Sequence, residues 1–176
     1  MSQWISENFE HVLAGILLLA RIGDVGTTWL LTPRLRLEGN PLVRILRWPF
    51  ALATLLVCLV AYWSTAIAWA FIVASFLVSA RNAGGIWMVR AFGEEDYYRN
   101  VVLEAARKGS FAWAVTSIGL SATFVFLAGA MVYWGSAGWE GRGAWSGVGI
   151  MAYAVAVGIH GAIYMRRIFR QARLRT

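Results

Sequence analysis

The chain has 176 residues, of which 59% are hydrophobic, and its sixteen Lys and Arg outnumber nine Asp and Glu. Residues 48–80 and 109–139 contain no charged side chain, and each run is longer than the roughly 20 apolar residues that cross a hydrocarbon core. This distribution excludes a soluble protein and predicts an all-α integral membrane bundle, with one transmembrane domain over residues 1–176. The net charge of +7 then reflects orientation in the membrane rather than binding to nucleic acid.

The first predicted span covers about residues 12–31 and contains two charged side chains, Arg21 and Asp24. A charged residue at the centre of a spanning helix costs about 3 kcal/mol, so a partner or a ligand must offset that cost. No Lys or Arg precedes Arg21, and the segment therefore lacks the positive region of a cleaved signal peptide. We expect the first span to remain in the mature protein.

The long apolar stretch from residue 48 to residue 92 can be divided in two ways. As a single helix it would be about 65 Å long, roughly twice the thickness of a hydrocarbon core. A four-span chain keeps 50–80 as one tilted helix and places 81–109 outside the membrane. A five-span chain breaks the stretch at 62–65 and gives spans at about 42–62 and 66–89.

Charge asymmetry favours five transmembrane helices, the last two at about 110–134 and 145–165. One side of the membrane then receives four basic residues from 34–47, four from 90–108 and five from a basic tail at 166–176, against Arg142 alone on the other side. The four-span division gives only ten against five. Basic loops stay in the cytoplasm, so we expect the N-terminus outside and the C-terminus inside, in a prokaryotic cytoplasmic (inner) membrane.

The segment 94–108, between the third and fourth spans, is predicted to be a short interfacial helix on the cytoplasmic membrane surface. Three acidic residues open it, and Arg107 and Lys108 close it, which matches the helix dipole at both ends. A solvated connector is the alternative. The predicted apolar face, turned toward lipid or protein, consists of Tyr98, Val101, Val102 and Ala105.

Polar side chains recur at one depth of several predicted spans. Asp24, Arg81 and His160 lie about five to eight residues before the cytoplasmic ends of their helices. We interpret these residues and their polar neighbours as one candidate site for a ligand. The candidate members are Arg21, Asp24, Thr28, Glu38, Asn40, Arg81, Asn82 and His160.

Two interpretations of this set stay open. In the structural one, the polar groups pair across helices and fix the packing, through hydrogen bonds worth about 0.6 kcal/mol each. In the functional one, they line a polar pocket open to the cytoplasm, because intramembrane ionisable residues mark ligand, ion or proton paths. In either case Asp24 needs a cation. We predict Arg81 rather than Arg21, since an interhelical pair would lock two spans together.

The sequence predicts no catalytic residue, no metal and no cofactor, while a bound lipid is compatible with the polar site. Asp24, Glu38 and His160 could supply oxygen and nitrogen ligands, but no metal-binding spacing joins them. Asn40 and Pro41 are ordinary start signals for the second span, as N-cap and first helical residue. Only Glu38 is then left without a structural explanation.

One short stretch of the chain, residues 24–41, resembles a known family. Its matching residues are Asp24, Thr27, Thr28, Glu38, Asn40 and Pro41. They are similar to the D-x-x-T-T and E-x-N-P signature of a family of small multi-span prokaryotic membrane proteins of unknown function. The resemblance implies that Asp24, Thr28, Glu38 and Asn40 belong to one feature near the cytoplasmic surface. It implies no reaction.

Two functions of different classes fit these patterns. The first is a non-enzymatic accessory or scaffold subunit of a larger membrane complex, which the small size and the many small residues in the spans favour. The second is an enzyme or carrier that handles a lipid headgroup or a small polar ligand at the polar pocket. The expected partners are the lipid bilayer and either other membrane protein subunits or further copies of this chain, and not nucleic acid.

Overall fold

The computed structural model describes residues 8–136 and 141–174. Within those ranges the chain is helical and has five helices that are long and apolar enough to cross a membrane. They are α1 (Phe9–Leu31), α2 (Pro41–Ala53, continued by the 3₁₀ helix Thr54–Tyr62), α3 (Thr65–Phe92), α4 (Phe111–Gly135) and α5 (Arg142–Arg173). The prediction of an all-α chain with five helices of membrane length is confirmed.

The sequence signals for the ends of α2 are confirmed. At its start, the side-chain oxygen of Asn40 accepts a hydrogen bond of 3.0 Å from the Leu42 N–H, and Pro41 is the first helical residue. At its far end, α2 stops at Tyr62 and α3 begins three residues later. The hydroxyl of Ser64, between the two, accepts from the Ile67 N–H and caps α3. The break therefore lies where the five-span division places it.

The last helix is longer than predicted. It begins at Arg142 and continues to Arg173, beyond the predicted span of about 145–165, so the basic tail is helical as far as Arg173, while residues 175–176 lie outside the described part. No Gly or Pro follows Gly161 to interrupt the helix. Its last turns are also buried against the segment 94–108, and this packing stabilises them. The buried residues there are Ile168, Phe169 and Ala172.

The segment 94–108 is helical throughout but is not one regular α-helix. It consists of the α-helical turns Glu94–Asp96 and Glu104–Lys108 on either side of the π-helix Tyr97–Leu103. A π turn holds more residues than an α turn, so the buried face shifts along the chain. Leu103 and Ala106 are buried together with Tyr98, whereas Ala105, which we predicted on this face, is exposed. The buried face packs against α5.

Glycines bring α4 and α5 into close contact. Gly129 of α4 lies against Gly147 of α5 so closely that a Cβ added at Gly147 would lie 2.6 Å from the Gly129 carbonyl oxygen. We call this contact the glycine seam. On the other side of α5, a Cβ added at Gly149 would lie 2.4 Å from the Ala70 oxygen of α3. Small residues permit such approach in lipid, so α5 is held tightly between α4 and α3.

The two parts of α2 pack differently. Its 3₁₀ part joins α1 and α3 around a shared apolar cluster. Its Pro41–Ala53 part is kinked at Arg47, where φ is 61°, and contacts other helices little. Space therefore remains beside this part of α2. It lies toward the basic end of the bundle, which consists of the loop 32–40, the segment 94–108 and the last turns of α5.

Candidate functional site

A cavity of 530 Å³ lies between α1, α2, α3 and α5, and the loop residues 37–40 line its basic end. The structure brings all of the candidate site residues to its wall. These are Arg21, Asp24 and Thr28 of α1, Glu38 and Asn40 of the loop, Arg81 and Asn82 of α3, and His160 of α5. Residues separated by more than a hundred positions in the sequence therefore share one space.

The guanidinium of Arg21 joins three helices at the wall of the cavity. It donates to the Asp24 carboxylate on its own helix, to the Thr54 hydroxyl of α2 and, at 3.4 Å, to the Ser75 hydroxyl of α3. The prediction that Asp24 pairs with Arg81 is therefore wrong. Arg21 lies one turn away on the same helix face, and the hydrogen bonds that it donates to α2 and α3 hold its side chain in place for Asp24.

A second hydrogen bond crosses from α3 to α1 nearer the basic end. The side-chain amide of Asn82 donates to the Thr28 hydroxyl at 2.9 Å. Ser79, one turn earlier on α3, lies close to Gly23, since a Cβ added at Gly23 would be 3.3 Å from the Ser79 hydroxyl oxygen. The polar stripe of α1 thus packs directly against that of α3, as the structural interpretation of these residues requires.

Glu38 and Asn40 form the wall of the cavity at the basic end. The Glu38 carboxylate accepts a 2.7 Å hydrogen bond from the Asn40 N–H. Gly39 between them packs on α5, because a Cβ there would lie 3.8 Å from the His160 carbonyl oxygen. Burial raises the pKa of Glu38, and the Asp24 carboxylate adds to this effect, whereas the Asn40 N–H and the Arg81 charge oppose it. The loop thus contributes a carboxyl group that is easily protonated.

Arg81 and His160 differ from the other candidate residues. Both line the cavity, but among the described residues neither has a hydrogen-bond or ion-pair partner. The charge of Arg81 acts on Glu38 only at a distance. Among the eight candidate residues, these two have the side chains that a bound molecule could satisfy.

Glu94 positions the loop, a role that the sequence did not indicate. Its buried carboxylate accepts hydrogen bonds from the Arg34 N–H at 2.7 Å, the Arg36 N–H at 2.8 Å and the Thr32 hydroxyl. Leu35, inside this turn, has a φ of 57°, a conformation that costs energy for a side chain of its kind. The only sequence signal was an acidic residue directly after Gly93, which we assigned to the helix dipole alone.

The chemistry that this arrangement offers is binding. The cavity presents a guanidinium, an imidazole, a protonatable carboxyl group and several hydroxyls to one space. In the part of the chain that the structure describes, no group of three or more His, Cys, Asp and Glu side chains could hold a metal ion. Likewise, no described hydrogen bond links His160 to a hydroxyl that it could activate as a nucleophile.

Comparison with known proteins adds no relative. No family model, no curated protein and no solved structure matches this chain. The resemblance to the family with the D-x-x-T-T and E-x-N-P signature therefore stays a prediction. The function has to be inferred from the fold and the cavity.

Proposed function

We propose that the chain is a membrane protein that binds a small polar ligand or a lipid headgroup in the cavity between α1, α2, α3 and α5. The observation that supports this most is that all eight candidate site residues line this one cavity. Its 530 Å³ fall within the roughly 300–1,000 Å³ of ordinary ligand pockets. This corresponds to the second of the two functions predicted from the sequence, the handling of a lipid headgroup or a small polar ligand at the polar pocket.

The pattern of satisfied and unsatisfied groups supports a ligand. Asp24 forms an ion pair with Arg21, and the Thr28 hydroxyl accepts a hydrogen bond from Asn82. These four side chains therefore have a structural explanation without a ligand. Arg81 lacks an equivalent partner among the described residues. An arginine at the centre of a membrane helix costs about 2.5–3.5 kcal/mol. A bound polar group would offset part of this cost and would explain why the space beside Arg81 is open.

We infer the orientation from charge. With the basic end in the cytoplasm of a prokaryotic cell, the N-terminus lies outside and the cavity lies in the cytoplasmic leaflet. The segment 94–108 then lies at the cytoplasmic membrane surface. Reporter fusions at residues 63–65 are expected to report the outside, and a fusion within 94–108 the cytoplasm. The opposite pair of results would reverse this orientation.

A subunit role in a larger complex has its own support. The outer face of α4 is apolar and exposed, with Phe124 at 70% and Met131 at 74% exposure. Such a face fits lipid as well as a partner helix. Native mass spectrometry after extraction in mild detergent separates the two proposals. A stoichiometric protein partner supports the subunit role, and a monomer or homodimer with a bound small molecule supports the ligand-binding role.

The same experiment tests the cavity directly through two tryptophan variants of α5. Ala156 lines the cavity, so Ala156→Trp should fill it and remove the bound molecule from the mass spectrum. Ala152, one turn earlier, is exposed and lies outside the cavity wall, so Ala152→Trp should retain the molecule. Absence of any bound molecule from the unchanged protein, or its retention in Ala156→Trp, would contradict the proposal.

A further inference from the structure

A second, smaller cavity adjoins the first. It has a volume of 260 Å³ and lies between α3, α4 and α5. Arg81, Tyr153 and Val157 line both cavities. The two spaces therefore meet at these side chains, and Arg81 is the charged group that faces both of them.

The second cavity is a partly open cleft between α3 and α4. Both helices pack on α5, whereas they contact each other little. Since α3 and α4 are both apolar helices of membrane length, a partly open cleft between them can face lipid. A lipid molecule could therefore enter the cleft from the side and reach Arg81 without crossing the loop at the basic end.

The walls of the cleft combine two kinds of chemistry. Ser117 and Ser121 of α4 present hydroxyls, and neither has a hydrogen-bond partner among the described residues. Ile118 and Val125 of the same helix line the cleft with apolar surface. A cation, free hydroxyls and an apolar wall together suit a molecule with an anionic headgroup and a hydrocarbon chain.

The acidic groups of the main cavity are engaged elsewhere. Asp24 binds Arg21, and the Glu38 carboxylate accepts from the Asn40 N–H without forming an ion pair with Arg81. Arg81 is therefore available to an anion that comes from outside the protein, and a guanidinium matches the geometry of phosphate oxygens.

We propose that the ligand is an anionic phospholipid, which enters sideways through the cleft between α3 and α4 and places its phosphate on Arg81. This inference rests on the proposed ligand-binding function and names the class of ligand. The headgroup would extend into the main cavity, and one acyl chain would lie along the apolar wall of the cleft.

The test uses the full chain in nanodiscs that contain phosphatidylglycerol and phosphatidylcholine, with retained lipid measured by native mass spectrometry. We expect preferential retention of phosphatidylglycerol by the unchanged protein. Arg81→Gln should lower that retention at least tenfold, whereas Arg81→Lys, which keeps the charge, should preserve part of it. Arg90→Gln is the matched control, since Arg90 lies on the same helix outside both cavities.

Sideways entry is tested on α4. Ser121→Trp should block the cleft and lower phosphatidylglycerol retention as strongly as Arg81→Gln. Thr123→Trp, which places the same bulk on an exposed position outside the cleft, should leave retention unchanged. Retention that survives Ser121→Trp would overturn the sideways route, and retention that survives Arg81→Gln would overturn the phosphate site.

Two further outcomes separate this inference from the proposed function. Displacement of the lipid by millimolar inorganic phosphate would identify a free anion as the ligand and would overturn the lipid assignment. A bound molecule other than phospholipid that is lost in Ala156→Trp would also overturn it, and would leave the proposed function standing. No bound molecule of any kind would overturn both.

Discussion

The two sides of α5 are built by different means. Toward α4, the glycine seam brings backbones together, and a Cβ added at Gly147 would lie 2.6 Å from the Tyr133 nitrogen. Toward α1 and α2, polar side chains bridge the neighbouring helices. Arg21 joins α1 to α2, and Asn82 joins α3 to α1. A cavity of 530 Å³ remains open between these helices and α5. One helix thus borders both a close backbone contact and an open cavity.

The difference shows how a membrane bundle can hold open space. Between helices in lipid there is no hydrophobic driving force, so association depends on close packing and on interhelical hydrogen bonds. The glycine seam uses the first, and at the level of Gly129 and Gly147 it leaves no room for a ligand. The cavity side uses the second, and long polar side chains such as Arg21 can join helices that stay apart. The close contact with α4 holds α5 in place, so α5 can border an open cavity on its other side.

The largest expected effect is on the cavity side, at the pair of Arg21 and Asp24. Asp24→Asn should lower the free energy of unfolding by about 3–5 kcal/mol, because it leaves a buried arginine without its counter-charge. Arg21→Gln combined with Asp24→Asn should recover part of that loss. When Arg81→Gln is combined with Asp24→Asn, the two losses in the free energy of unfolding should add to within about 0.5 kcal/mol. Denaturant titration in detergent measures these changes, and coupling of Asp24 to Arg81 instead of Arg21 would contradict the structure.

The next effect concerns the loop that closes the basic end of the cavity. Glu94→Gln should lower stability by about 1.5–3 kcal/mol, since hydrogen bonds to a charged acceptor are lost in a buried position. Tryptic cleavage after Arg34 and Arg36 should become faster, because their N–H groups lose the acceptor that holds the loop. Glu104→Gln, whose ion pairs are with Arg107 and Lys108 of its own segment, is the control and should leave the cleavage rate nearly unchanged. Equal cleavage rates in both variants would show that Glu94 does not hold the loop.

On the packed side, Gly147→Ala should cost about 1–3 kcal/mol, as overpacking does in a tight contact. The added methyl group would meet backbone atoms of α4, which can move only if the helices separate. Gly119→Ala on α4 is the matched control, because nothing lies within 4 Å of its added Cβ. It should stabilise the helix by about 0.5–1 kcal/mol. Thermal unfolding in detergent distinguishes these signs, and equal shifts for both variants would remove the glycine seam as an explanation of the packing.

The smallest effect is the pH dependence that Glu38 contributes. Burial raises its pKa above the ordinary 4.5, so the folded protein keeps a proton that the unfolded chain loses first. Stability should therefore fall as pH rises from 4.5 to the raised pKa, and then level off. Glu38→Gln should flatten this part of the stability profile. A profile that rises with pH over the same window in the unchanged protein, and not in Glu38→Gln, would reverse the sign of the shift.

Some of the site was readable from the sequence, and some was not. Arg21 and Asp24 stood out because charges inside an apolar helix are costly, and this signal holds whatever the partners are. Their mutual pairing was not readable, because the sequence places Arg81 at a similar depth and does not say which cation other helices hold in position. Glu94 was missed for the same reason. Its role depends on loop N–H groups some 60 positions earlier in the chain, and nothing in its own neighbourhood indicates them.

The sequence by itself determined the all-helical class, because hydropathy and helix length are local properties. It also determined the number of long helices and the break near Tyr62, because the distribution of basic residues favours five spans over four. Only the tertiary structure decided that the eight polar candidates share one cavity, that α5 runs on to Arg173 and that the π turn shifts the buried face of 94–108 by one residue. These features depend on how helices approach one another. In a bundle where the same apolar residues face lipid and neighbours alike, composition does not specify that approach.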